Sequence, residues 1–214
     1  MSMVLHSYYR SSAAYRVRIA LNLKGLDYTM LPHHLRHNAH LAADYRALNP
    51  QALVPALQIE QSVITQSLAI IEYLDETYPT PALLPTAPID RAYVRSLSQI
   101  IACDIHPINN LRVLRYLRDP LGHSEAAVET WYNHWIAEGF AALETMLKND
   151  PRTGEFCFGN TPSLADITLI PQILNSANYK LDLSPCPTLV RINTACLALD
   201  AFARAQPMRQ PDAE

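Results

Sequence analysis

Tyr8-Tyr9-Arg10-Ser11-Ser12-Ala13-Ala14-Tyr15-Arg16-Val17-Arg18 is the stretch where a strand pattern gives way to a helix pattern. Upstream, Val4-Leu5-His6-Ser7-Tyr8 alternates with a period of two, and downstream Ala14, Val17 and Leu21 recur with helical spacing. A helix is therefore predicted to begin at the two serines. The unpaired N–H groups and positive dipole end of that start favour an anion, and the hydroxyl of Ser11 or Ser12 adds a donor to it. Such a place can hold a thiol as its thiolate. A serine there also serves as a plain N-cap, and these residues alone leave both roles open.

Working outward, the helix is predicted to stop near Lys24-Gly25, and Asp27-Tyr28-Thr29-Met30-Leu31-Pro32 is short and extended. A polar stretch holding His33, His34, His37 and His40 follows. It lacks metal-site spacing and any Cys or acidic ligand, which favours a solvated loop. After a short helix through Tyr45, Val54–Ile59 and Ser62–Thr65 read as strands joined by Glu60-Gln61, with Pro55 confined to a strand start or edge. Gln66-Ser67 then opens a helix with the apolar stripe Leu68, Ile71, Leu74 and Tyr78. The order is βαβ followed by ββα.

Four prolines from Pro79 to Pro88 mark a stiff connector, so the expected layout is an α/β domain over 1–80, a linker over 81–89 and an all-α domain over 90–214. In the second part, one long helix is predicted over 91–118 with a bend at Pro107, and another over 124–148. Ser163-Leu164-Ala165-Asp166 is close to a capping box, Pro171 should kink or shorten the helix it opens, and a last amphipathic segment carries Leu189 to Phe202. The tail after Pro207 is expected to fray.

Of the 214 residues, 49% are apolar and 17% charged, enough to bury a sizeable core, which points to a soluble globular chain. The net charge of −3 and the absence of any long Lys/Arg run argue against a nucleic-acid surface. Short, interrupted apolar runs argue against a membrane span, and the sequence suggests a cytoplasmic protein. Cys103, Cys157, Cys186 and Cys196 are scattered with no Cys-x-x-Cys pair, as expected of buried thiols rather than a zinc or redox site.

A thioredoxin-like βαβ-ββα domain, a proline-rich linker and an all-helical domain form the layout of the cytosolic glutathione transferases. Residues 10–18 resemble the zeta-class signature Ser-Ser-Cys-x-Trp/Tyr-Arg-Val-Arg, and Leu48-Asn49-Pro50, Val54-Pro55, Gln66–Leu74 and Arg209-Gln210-Pro211 match further along. What the resemblance implies is a glutathione site. Ser11 would hydrogen-bond the sulfur, with Ser12 and the helix start framing it. The backbone of Val54, before a cis Pro55, would pair with the cysteinyl unit. Gln66 and Ser67 would hold the γ-glutamyl end, and His40 and Gln51 are candidates for the glycyl end. Arg10 resembles the substrate-binding arginine, suited to a carboxylate by its planar fork. His106, Asn110 and Arg112 match positions lining the pocket for substrate and glutathione, His106 and Asn110 being expected on one helix face.

Two departures stand out. Ala13 replaces the signature cysteine, so no thiol chemistry at that position is available and the burden falls on Ser11. Asn178 stands where the family often has a second carboxylate-binding arginine, which leaves the identity of the substrate open. The resemblance implies a homodimer and a glutathione-dependent cis–trans isomerase of maleylacetoacetate, maleylpyruvate or another cis-enone dicarboxylic acid, serving aromatic breakdown. Conjugation or dehalogenation of small α-haloacids is the alternative, and a non-catalytic binding protein of this fold is the third. Retention of Ser11, Arg10 and Gln66-Ser67 together argues against the last.

Overall fold

The structure, a computed structural model, describes residues 2–214. It divides into two compact units, one comprising the chain up to Leu83 together with Leu197–Glu214, the other Leu84–Cys196. Among the described residues no helix is long and apolar enough to cross a membrane.

In the first unit, β1 (Met3–Ser7), α1 (Ser12–Leu23) and β2 (Thr29–Pro32) form the βαβ half. After α2 (Ala43–Leu48), the strands β3 (Ala56–Ile59) and β4 (Ser62–Thr65) and the helix α3 (Ser67–Thr77) form the ββα half. The sheet order is β2-β1-β3-β4, with β1 parallel to β2 and antiparallel to β3. This is the thioredoxin-like arrangement expected. Glu60 takes a left-handed φ of 55°, which turns the β3–β4 hairpin tightly.

Helix α1 is buried along most of its length because it packs against α3 and against α9 (Asp200–Ala205). Gly25, at φ 64°, ends it as the sequence predicts. Beside that end, the buried Lys24 ammonium lies 2.6 Å from the Asp75 carboxylate and donates to the Tyr78 carbonyl at 2.7 Å, pinning α1 to the end of α3. The tail does not fray. It turns through a 3₁₀ segment at Pro207–Arg209, and the Gln210 amide donates to the carbonyls of Arg204 and Gln206 at 2.8 and 2.9 Å. Residues 197–214, expected in the helical domain, thus belong to the α/β unit.

The second unit is helical: α4 (Pro88–Gln99), α5 (Leu111–Arg118), α6 (Glu125–Asn149), α7 (Leu164–Ala177) and α8 (Pro187–Leu197). The single bent helix expected over 91–118 is instead two helices. After α4 the chain widens into a π segment over Ile100–Ile105, closed by the His106 N–H donating to the Ile101 carbonyl at 2.9 Å. Pro107 has no N–H with which to continue, and Asn110 starts α5 afresh by accepting from the Arg112 N–H at 3.1 Å. Gly139 on α6 lets the π segment come close, since a Cβ there would collide with the Ile105 side chain.

Helix α7 opens as predicted, the Asp166 carboxylate reaching back to the N–H and hydroxyl of Ser163 at 2.8 Å each. It runs six residues past Pro171 rather than stopping there. The last amphipathic segment splits into α8 and α9. Of the cysteines expected to be buried, Cys103 is exposed and the other three are buried.

Candidate active site

The strand-to-helix junction is built around a β-turn. The Ser11 N–H donates to the Tyr8 carbonyl at 2.9 Å, closing the turn Tyr8-Tyr9-Arg10-Ser11. Ser11 is the N-cap of α1, its Oγ accepting from the Ala14 N–H at 3.2 Å. The N-cap role is therefore real, and it is compatible with anion binding, because a hydroxyl that accepts one N–H still has its own O–H to donate. Ser11 is half-buried, Ser12 buried and Arg10 exposed, so the turn presents a hydroxyl and a guanidinium side by side.

Below the turn lies Arg18, fully buried on α1. Its guanidinium donates to Ser7 Oγ at 3.2 Å, to the Tyr9 carbonyl at 3.0 Å and to the Ala205 carbonyl at 3.0 Å. Burial pulls its pKa down to about 10, still far above neutrality. The other face of Tyr9 is tied as well: its N–H donates to Asp212 Oδ2 at 2.9 Å. Neither Arg18 nor Asp212 was among the expected site residues. The signal for Arg18 is a cation in the middle of an otherwise apolar helix face; Asp212 carries none, since its partner is 203 positions away.

Val54 sits in a loop fixed from below. Its preceding carbonyl, Leu53 O, accepts from Tyr45 Oη at 2.6 Å and from Asn49 Nδ2 at 2.8 Å, and the Val54–Pro55 peptide is cis. The Val54 side chain joins Tyr8, Tyr9 and Tyr45 in one buried cluster, which brings this loop up to the Tyr8–Ser11 turn. Gln66 holds a left-handed φ of 71°, unusual for a residue with a side chain, and no side chain caps the N-terminus of α3 that follows. Its amide reaches Gln51 Oε1 at 2.9 Å, and Ser67 Oγ accepts from Arg16 Nη1 at 3.3 Å, tying the starts of α1 and α3 together. His40 stands in a 3₁₀ turn over Ala39–Leu41.

His6 and His33 pack into the fold of the first unit. His6 Nδ1 and His33 Nε2 are 2.9 Å apart with their rings stacked, His33 packs at a tilt against Tyr45, and burial lowers the pKa of both rings. Among the described residues no group of His, Cys, Asp or Glu is placed to hold a metal ion.

A turn with a capping hydroxyl, a cis-Pro loop and an uncapped helix start all suit an anionic peptide-like ligand. Sequence profiles agree: the glutathione S-transferase N-terminal domain matches residues 5–82 and the C-terminal domain residues 125–202. The chain belongs to the glutathione S-transferase family. Among its relatives is the maleylpyruvate isomerase of Ralstonia sp, 50% identical over 210 residues that cover 98% of this chain and 99% of the other. A holo structure of maleyl pyruvate isomerase, a bacterial zeta-class glutathione S-transferase, superposes with a TM-score of 0.97 at 49% identity over 99% of this chain and 100% of that one. A maleylacetoacetate isomerase from Methylobacterium extorquens AM1, with bound malonate and glutathione, gives 0.96 at 42% identity over 99% of each.

In the helical unit of this transferase, His106, Asn110 and Arg112 fall at the break between α4 and α5. His106 and Asn110 do not share one helix face as expected. His106 closes the π segment, Asn110 is the N-cap of α5, and Arg112 lies in the first turn of that helix. The Asn110 side-chain oxygen is engaged in the cap, so what it can offer a ligand is its amide N–H₂. Asn178 forms the C-cap of α7.

Proposed function

We propose that this chain is a zeta-class, glutathione-dependent cis–trans isomerase of a maleyl-type dicarboxylic acid, maleylacetoacetate or maleylpyruvate. The observation that carries the reading is Ser11: a half-buried N-cap hydroxyl with its acceptor side occupied and its O–H left to donate, beside the exposed guanidinium of Arg10. Both the named relatives and the small dicarboxylate bound in one of them agree with it.

Glutathione supplies a thiolate that adds to the cis double bond, permits rotation about the resulting single bond and departs to leave the trans isomer. The chain's own residues do the rest. Ser11 donates to the sulfur, and the N-terminus of α1 with Ser12 adds positive potential. From about 8.5 for a free thiol, a fall of about one or two units brings the ionised form within reach of neutral pH. The Val54 backbone holds the cysteinyl unit. Gln66, Ser67 and the open start of α3 hold the γ-glutamyl carboxylate, with His40 assigned to the glycyl end. Arg10 pairs with a substrate carboxylate through its fork, and His106, Asn110 and Arg112 are assigned to ligand binding in the helical unit. The same reading makes the protein a cytoplasmic homodimer, as the family resemblance implies.

The test is conversion of maleylacetone and of maleylpyruvate with glutathione at a small fraction of the substrate concentration. The expected result is many turnovers to the fumaryl isomer with the thiol titre unchanged. Stoichiometric loss of thiol would make the chain a conjugating transferase instead.

A further inference from the structure

We propose that the segment Gln210–Glu214 is part of the scaffold of the thiolate site, with Asp212 a positioning residue for the turn that presents Ser11. The inference rests on the reading of Ser11 as donor to the sulfur and adds a residue that touches neither sulfur nor substrate.

The turn is held from two sides. From within, Arg18 donates to the Tyr9 carbonyl at 3.0 Å and to Ser7 Oγ at 3.2 Å, and the Tyr8 carbonyl takes the Ser11 N–H at 2.9 Å. From without, Asp212 takes the Tyr9 N–H at 2.9 Å. Tyr9 is 4% exposed, and the partner its N–H has in the turn is the Asp212 carboxylate. Removing the carboxylate would strand a buried donor, which the turn can relieve only by rotating and carrying Arg10 and Ser11 with it.

The tail is anchored well enough to act. Ala213 packs on the cluster of Tyr8, Tyr9, Tyr45 and Val54, and the Glu214 carboxylate lies 2.9 Å from His34 Nε2. The anionic Asp212 also faces the buried Arg18 cation and opposes the loss of its proton. One carboxylate thus fixes the peptide next to the reacting centre and balances the charge beneath it. Placement of this kind decides rate more than affinity, because the contacts assigned to Gln66 and Ser67 do not pass through Tyr9, and Val54 meets Tyr9 through its side chain rather than through the backbone assigned to glutathione.

Asp212→Ala, Asp212→Asn and Ser11→Ala should be compared by kcat, glutathione affinity, the pH titration of the bound thiol and the exchange rate of the Tyr9 amide. Asp212→Ala is expected to lower kcat by about ten- to a hundredfold and to raise the pH at which bound thiol ionises, with glutathione affinity within about threefold of the parent. Asp212→Asn keeps an oxygen acceptor and should retain most of the parent rate. In the unsubstituted protein without glutathione, the Tyr9 amide should exchange far more slowly than an exposed loop amide. Parent-like thiol titration in Asp212→Ala, failure of Asp212→Asn to outperform it, or rapid exchange at Tyr9 would each overturn the proposal. If Ser11→Ala also leaves the titration unmoved, the fault lies in the reading of Ser11; if Ser11→Ala moves it and Asp212→Ala does not, the tail alone is acquitted of any role.

Discussion

Replacing Ser11 separates its two roles, because alanine and glycine remove the same hydroxyl but cost the helix different amounts. The Oγ accepts the Ala14 N–H at 3.2 Å, an N-cap bond whose loss to alanine costs about 1 kcal/mol, whereas glycine at an N-cap costs only about a few tenths. For a chain of this size about 1 kcal/mol corresponds to a fall in Tm of about 2–4 °C. The O–H donated to sulfur is lost equally in both. If it acts as one oxyanion-type donor, kcat should drop about 10²-fold in each variant, near 3 kcal/mol of barrier. Ser11→Ala and Ser11→Gly should therefore show matching kcat values and distinct melting temperatures, and Ser11→Thr should keep most of both. The assay is glutathione-dependent isomerisation of maleylacetone followed by absorbance, alongside thermal unfolding by circular dichroism. If activity recovers in Ser11→Gly in step with stability, the hydroxyl is a cap and nothing more, and the sulfur must be held by Ser12 or backbone amides.

Arg10 is exposed in the turn, so Arg10→Lys should leave stability and glutathione affinity alone. Because lysine keeps the charge but loses the planar fork, KM for the dicarboxylate should rise about tenfold with a smaller change in kcat; an unaltered KM removes the carboxylate assignment. The His6–His33 pair gives the fold a pH dependence. Burial lowers both pKa values from 6.5, so below that value the unfolded chain binds more protons than the folded one. Stability is therefore full above 6.5 and is lost as pH falls through the lower folded-state values. Thermal unfolding between about pH 7.5 and about pH 5.5 should show Tm falling in the parent and falling less in His6→Asn; equal slopes would clear the pair of responsibility.

What could be read from the chain and what could not divides by the range of the interaction. The start of α1 at Ser11, its end at Gly25 and the Ser163–Asp166 start of α7 are written in residues within one turn of each other, and all appear where the pattern puts them. The break at Pro107 was half legible. A proline announces a disturbance, but whether the helix bends or stops depends on the close approach at Gly139 and on the wide π turn before His106. That break is why His106 and Asn110 leave the common face assigned to them. The docked tail was not legible at all, because the bond from Tyr9 to Asp212 spans nearly the whole chain and neither residue signals it locally. The left-handed Gln66 likewise follows from the hairpin-to-helix corner it must turn rather than from any propensity of glutamine. In the candidate site, residue types and order came from the sequence, whereas the platform under Ser11 came from Arg18, Asp212 and the Tyr45–Val54 cluster.

If the Ser11 turn ionises a bound thiol, the sulfur itself should report it. The decisive experiment is ultraviolet difference titration of glutathione on the unsubstituted protein, repeated with Ser11→Ala at saturating glutathione. Thiolate absorbance should appear about one to two pH units below that of free glutathione and move back up when the Ser11 hydroxyl is removed. A bound thiol that titrates as it does in water, with or without that hydroxyl, would rule out Ser11 as the group that ionises it.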